Sequence, residues 1–308
     1  MPGRGRRRGR EAAGKVVSRP QIEPLPGPFP CALSVDVEEW YHTCLAPELN
    51  EPERRPVLPR ELDRLLPDLL ELFAAHGCRA TFFVLGEVAR EVPRRVREIV
   101  EAGHEVACHG LHHLRAGSEP PQVFASHAAE ARKILEDTCG RPVTGFRAPE
   151  WSLRQPANPR LRLLAARGFR YDSSLAPVAG AGRRDNPRRV CRLRWSDGST
   201  MLEVPPLTWG GRLRLPGNGW PARLAPPAWL SAAARQEQAA GGLPLFVVHP
   251  WELADRLLPG ELTGLARFVH ETGRYGYRRR FELLLASLPP TVSVAEALAD
   301  AGERNDGE

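Results

Sequence analysis

The sequence predicts an α/β protein built on a parallel sheet, either wound into a barrel or laid out as an open, doubly wound layer. Three observations lead there. Short apolar runs alternate with segments of helical periodicity along the chain. Several of these runs are apolar on both faces, as strands are when helices cover both sides of a sheet. Reactive polar side chains collect where the runs stop, the edge at which parallel α/β folds build their sites.

The runs are CALSVDV (31–37), ATFFVLG (80–86), EVACHG (105–110), TGFRAP (144–149) and LPLFVVHP (243–250), each too short for a helix. Between them, RELDRLLPDLLELFAAHG (60–77) and PRRVREIVEAG (93–103) set Leu or Val on one stripe and end in Gly, with Pro93 placed as a first helical residue. QVFASHAAEARKILEDTCG (122–140) repeats the pattern through Val123, Phe124, Ala131, Ile134 and Leu135. Alternating β and α units of this kind give a parallel sheet. Residues 178–230 are rich in Gly, Pro, Arg and Trp and weakly periodic, and read as loops and short strands covering one end of the barrel.

A chain of 308 residues with 42% hydrophobic content can bury one sizeable core, so one main domain is expected over residues 28–300, with 178–300 as its C-terminal part. Residues 1–27 read as a disordered Arg/Gly/Pro-rich tail and linker. The net charge of +6 resides in residues 1–20, which hold six Arg and one Lys against one Glu; the remainder balances 36 cations with 36 anions. The body therefore has no basic surplus for a nucleic acid. No apolar run is long enough for a membrane span or follows the charged start as a secretory signal would, so a cytoplasmic protein is expected. The six cysteines are scattered without a Cys-x-x-Cys pair and read as reduced thiols. Strand alternation turns Cys108 away from the face His109 occupies, which argues against a metal role for it.

Asp36 and Glu38 close the first run, His109 the third, Arg147 the fourth and His249 the last. His109 and His113 are four residues apart, a spacing at which two imidazoles reach one ion. A carboxylate from Asp36 or Glu38 would complete a two-His, one-carboxylate set with positions open for water. A loop histidine pair that only hydrogen-bonds its own backbone is the plainer account of such a pair in isolation. The carboxylates and the further strand-end histidine on the same edge favour a metal. Trp151, Trp209, Trp220 and Trp251 lie near these loops, where indole faces can stack on sugar rings or pack the core.

In order, SVDVEEW, ATFFVLGEVA, GHEVACHGLHH, GFRAPEW, YDSS and FVVHPWELAD resemble the motifs of the NodB-type polysaccharide deacetylases of carbohydrate esterase family four, across residues 30–290. The stretch from VPPLTWGGRLRLPGNGW to FVHETGRYGYRRRFELLLASLPPTVSVAEAL further resembles the branch associated with exosortase and exopolysaccharide gene systems. The resemblance implies a distorted parallel (β/α) barrel and metal-dependent removal of N-acetyl groups from the N-acetylhexosamine units of a polysaccharide or its precursor, with Zn²⁺ as the ion. Carried over residue by residue, it makes Asp36 the base, Glu38, His109 and His113 the metal ligands, and Arg147 the partner of the base. His249 becomes the catalytic acid and Asp172, in YDSS, the carboxylate that steadies it. His112 falls at a variable position. The backbone N–H of Glu150 would help hold an oxyanion, and Trp151 and Trp251 would meet the glycan.

Two departures from the pattern bear on these roles. The adjacent aspartates common in the first motif are split here as Asp36-Val37-Glu38, and Glu150 stands where an aromatic residue commonly follows the proline. A small-amide hydrolase of the allantoinase type and a glycan-binding protein without turnover are the competing readings.

Overall fold

The computed structural model describes residues 19–51, 58, 60–254 and 261–302. The expected tail, up to residue 18, lies outside them. In chain order the elements are β1 (Gln21–Pro24), β2 (Ala32–Val37), α1 (Leu62–Ala75), β3 (Thr81–Val84), α2 (Gly86–Glu91), α3 (Pro93–Glu101), β4 (Glu105–Cys108), α4 (Pro121–Cys139), β5 (Gly145–Phe146), α5 (Pro159–Ala166) and β6 (Tyr171–Asp172). There follow β7 (Cys191–Arg194), β8 (Thr200–Glu203), β9 (Thr208–Trp209), β10 (Leu215–Pro216), α6 (Gly219–Leu224), α7 (Pro227–Ala239), β11 (Leu245–Val248), α8 (Gly264–Glu271), α9 (Tyr277–Ser287) and α10 (Val294–Gly302).

Nine strands form one sheet in the order β1-β7-β8-β6-β5-β4-β3-β2-β11, while β9 and β10 pair separately. From β8 through to β11 all neighbours are parallel. The β1–β7 and β7–β8 pairs at the other end are antiparallel. No ladder joins β1 to β11 among the described residues, so the expected distorted barrel is a mainly parallel sheet left open at that seam.

Every residue of β2 is buried, and strand alternation divides its side chains between two cores. Leu33, Val35 and Val37 pack with Phe82, Val84, Cys108 and Phe146 and with the apolar stripe of α1, Leu62, Leu66, Leu69 and Phe73. Ala32 joins Phe83, Ala107 and Tyr171 on the other face. Ser34 and Asp36 share that second face by the same alternation, and the register sets Asp36 opposite Phe83. A carboxylate is thus carried into the sheet interior by its place in a strand that is otherwise apolar.

Helix limits follow local chemistry. Pro93 begins α3, and α4 ends where Gly140 takes a left-handed conformation at φ 66°. Two expectations need correction. The segment assigned to the linker contains β1, an edge strand whose Pro24 is tolerated because an edge can spare an N–H. Residues 178–230 do more than cover one end: β7 and β8 extend the main sheet, and the segment holds α6 and the start of α7. All six cysteines are free. Among the described residues no helix is long and apolar enough to cross a membrane.

Candidate active site

Because the strands are parallel and in register, their carboxyl ends meet at one edge. Asp36 is the penultimate residue of β2, Asp172 ends β6, and Glu38, His109, Arg147 and His249 each follow a strand directly or at once. The edge opens into a cleft of about 650 Å³ whose lining includes Asp36, Glu38, His109, His113, Glu150, Trp151, His249 and Trp251.

Glu38, His109 and His113 form a buried trio whose ligand atoms lie within 4.8 Å of one another. Glu38 Oε2 is 2.7 Å from His113 Nε2 and 3.7 Å from His109 Nε2. The Nδ1 of His109 lies 2.9 Å from the Arg147 carbonyl oxygen. A carbonyl only accepts, so this contact places the proton on Nδ1 and leaves the Nε2 lone pair directed at the trio. Trp251 Nε1 donates to Glu38 Oε1 at 3.4 Å and orients the carboxylate. Burial alone would raise the Glu38 acid, but the neighbouring His113 and His249 hold it well below the usual carboxylate range. An ionised carboxylate and two imidazoles, one with its tautomer fixed, fit a divalent cation with positions left open.

Asp36 meets the guanidinium of Arg147, Nη1 to Oδ1, at 2.6 Å. Arg147 is fully buried and fixed on several sides: it donates to Ser34 Oγ at 2.9 Å and Ser173 Oγ at 3.0 Å, and lies 4.0 Å over the Phe83 ring. The ion pair fixes the direction of the buried carboxylate. Across the cleft, His249 Nε2 stands 3.9 Å from Asp36 Oδ2 and 3.7 Å from Glu38 Oε1.

The partner of His249 is not the expected one. Glu252 Oε2 accepts from His249 Nδ1 at 2.9 Å and from its backbone N–H at 3.0 Å, within the 3₁₀ turn Pro250–Leu253. Glu252 Oε1 meets the buried Arg223 Nη1 at 2.5 Å. Burial disfavours charge on both His249 and Glu252. Their mutual attraction, with Arg223 on Glu252, nonetheless carries His249 up to about 9 and holds Glu252 at about 2. Asp172 instead accepts from Ser174 N and Oγ at 2.9 and 2.7 Å. It also sits opposite Glu203 in the parallel β6–β8 register. Burial pushes Asp172 up to about 6 and, with the Asp172 charge beside it, Glu203 well above its ordinary value. Glu203 Oε1 accepts from Leu175 N at 3.0 Å, while its Oε2 is buried without a hydrogen-bond partner.

His112, half exposed, bonds Glu87 at 2.8 Å and stays out of the trio. Glu39 is a helix cap, its Oε1 accepting from Glu61 N at 3.0 Å and Leu62 N at 3.1 Å. Glu150 and Trp151 both adopt left-handed backbone, φ 51° and 52°, a conformation costing on the order of 1–3 kcal/mol per non-glycine residue. The Glu150 side chain anchors that turn, accepting from Cys44 N at 2.9 Å and Arg115 Nε at 2.8 Å. Trp151 is packed against Ala176, Val178 and Val247, and its buried indole N–H has no partner. Trp251 is buried and stacks with His249, ring centroids 5.2 Å apart, and with His270 at 4.6 Å, so it is packed among protein rings. Trp209 lines a separate cavity and Trp220 packs on Phe268. Sequence reasoning missed Glu252, Arg223 and His270. The spacing His-Pro-Trp-Glu, a pattern in which the fourth residue reaches back to the first, was the available signal for Glu252; Arg223 and His270 carried none.

Residues 59–169 match the family model described as polysaccharide deacetylase, and residues 173–291 the model described as a domain of unknown function, DUF3473. The chain is similar to a peptidoglycan deacetylase of Helicobacter pylori, 32% identical over 110 residues, which are 36% of each protein. It is also similar to a chitooligosaccharide deacetylase of Sinorhizobium fredii, 33% identical over 116 residues, 38% of this chain and 46% of the relative. The chain thus aligns with under half the length of either. A solved structure from Mycobacterium smegmatis assigned to the polysaccharide deacetylases superposes with a TM-score of 0.59 at 20% identity, covering 92% of this chain and 94% of that one. That likeness shows the fold.

Proposed function

We propose that this chain, a member of the polysaccharide deacetylase family, removes N-acetyl groups from N-acetylhexosamine units of a glycan or its precursor, with Zn²⁺ held by Glu38, His109 and His113. The observation that supports this most is the convergence, in one cleft, of that trio with an arginine-held carboxylate on one side and a carboxylate-held histidine on the other. Two imidazoles and one carboxylate with open positions suit zinc. When bound, the ion supplies Lewis acidity toward the acetamide carbonyl and the attacking water.

The chain's own residues do the rest. Asp36, held in place by Arg147, accepts the proton of the attacking water. The Glu150 N–H, on its strained turn, donates to the developing oxyanion. His249 Nε2 gives a proton to the departing nitrogen, which leaves poorly as an unprotonated amide anion. The test is acetate release from N-acetylated chito-oligosaccharides by protein as purified, after chelation, and after Zn²⁺ is restored. Loss on chelation with recovery on zinc supports the reading; acetate release indifferent to chelation, or none with zinc restored, refutes it.

A further inference from the structure

The match to the deacetylase model ends at residue 169, and the segment that follows is matched only as a domain of unknown function. We propose that this second segment completes the active site, with Arg223 on α6 as a positioning residue that acts through Glu252 on His249. Which reaction step is affected rests on the deacetylase reading above.

The geometry is a relay of fixed contacts. The Arg223 side chain is fully buried. Its Nε donates to the Thr272 carbonyl at 2.9 Å and its Nη2 to the Val269 carbonyl, so α8 and the turn after it fix the guanidinium. Nη1 meets Glu252 Oε1 at 2.5 Å, and the group lies 5.6 Å from the Trp251 ring. Glu252 is equally buried and spends its other oxygen on His249, at the backbone N–H and at Nδ1. An ionised carboxylate only accepts, so Nδ1 carries a proton and Nε2 is the atom turned toward the cleft. Without Arg223, a buried carboxylate would keep one polar neighbour in place of two. It would then neutralise or rotate, and the imidazole would lose the contact that distinguishes its two nitrogens.

Buried ion pairs are often no more stabilising than apolar residues of the same volume. A buried pair that ends on a histidine lining the cleft therefore fits a role in the reaction better than one in stability. During amide cleavage the C–N electron pair goes to nitrogen, which takes the proton from His249 Nε2. Misaligning that atom costs turnover on substrates whose leaving group needs the proton, and spares those whose leaving group does not.

The experiment compares Arg223→Met, Arg223→Lys and the double variant Arg223→Met with Glu252→Gln, which removes the stranded charge if the single variant fails to fold. Each is loaded with Zn²⁺ and assayed on N-acetylated chito-oligosaccharide and on 4-nitrophenyl acetate, whose phenolate leaves unprotonated. Zinc content and the exchange-protected His249 Nδ1 proton are measured alongside, the latter by NMR and assigned with His249→Ala. Expected for Arg223→Met is an unchanged zinc content and KM, kcat lower by roughly 10²-fold on the amide and little changed on the aryl ester, partial recovery in Arg223→Lys, and loss of the Nδ1 resonance. Equal losses on both substrates, in the single or the folded double variant, would show Arg223 to be a structural pin and overturn the inference. If wild type hydrolyses neither substrate, the deacetylase reading fails; persistence of the Nδ1 resonance in Arg223→Met then overturns the inference, and its loss upholds it.

Discussion

The two sides of the cleft are built in different ways. Glu38, His109, His113, Asp36 and Arg147 all come from residues 36–147: four lie at or just past the ends of the parallel strands β2, β4 and β5, and His113 lies in the loop that follows β4. His249, Glu252, Trp251, Arg223 and His270 come from residues 223–270, and only His249 is placed by a strand. The others depend on a 3₁₀ turn and two helices packed over it. On the function proposed above, metal and base chemistry would rest on the sheet, and acid chemistry on a covering layer. The two sides meet at Glu38, whose Oε1 accepts from Trp251 Nε1 at 3.4 Å.

Breaking the sheet side should have the largest effect. His109→Ala or His113→Ala should leave no detectable zinc by elemental analysis and bring acetate release down to that of the chelated wild type. Breaking the covering side should separate the two properties: His249→Ala should keep its zinc while turnover of the amide falls by something like 10²- to 10⁴-fold, the usual worth of one proton-transfer group. If His249→Ala arrives without metal, the division between the sides is wrong. His112→Ala sharpens the contrast within one loop. Its side chain is half exposed and its partner is Glu87, so zinc content should be unchanged and turnover should stay within about twofold, as for ordinary surface changes.

The smallest effect contrasts the two ends of β4. His109 follows the strand into the cleft, whereas His104 precedes it, packs on Phe73 and Phe82, and accepts from Ala80 N at 3.3 Å. Burial drives His104 down to about 4 in the folded protein, against an ordinary value of about 6.5. As pH falls from about 6.5 toward 4 the unfolded chain takes up a proton that the folded one refuses, so His104 lowers stability across that window. His104→Phe should flatten the fall in melting temperature there and leave turnover unchanged; the same slope in wild type and variant would contradict the assignment.

The sheet side was readable because apolar runs and strand-end polar residues are local signals. Both acids of Asp36-Val37-Glu38 were visible; that Glu38 and not Asp36 lies with the histidines follows from where the chain turns after β2. The covering side was less readable because its contacts are remote. Arg223 and Glu252 are 29 residues apart and meet only after α6 and α8 have packed. The resemblance pairs Asp172 with His249, whereas β8 pairs with β6 and brings Glu203 beside Asp172, a pairing no local pattern announces. Trp251 reads equally as a sugar platform or a packed ring, and in the fold it is buried and stacked with His249 and His270. The strand β1 was hidden among prolines that only an edge position tolerates.

The division of labour between the split acids is the most direct test of the account. Glu38→Gln and Asp36→Asn, prepared side by side with Zn²⁺ in excess, should be analysed for bound metal and for acetate release from the same chito-oligosaccharide. Glu38→Gln should bind zinc weakly and fail because the site is empty, while Asp36→Asn should hold a full equivalent and turn over slowly. Zinc-free Asp36→Asn beside fully loaded Glu38→Gln would mean that the two carboxylates have exchanged roles, and would contradict the geometry from which the mechanism is built.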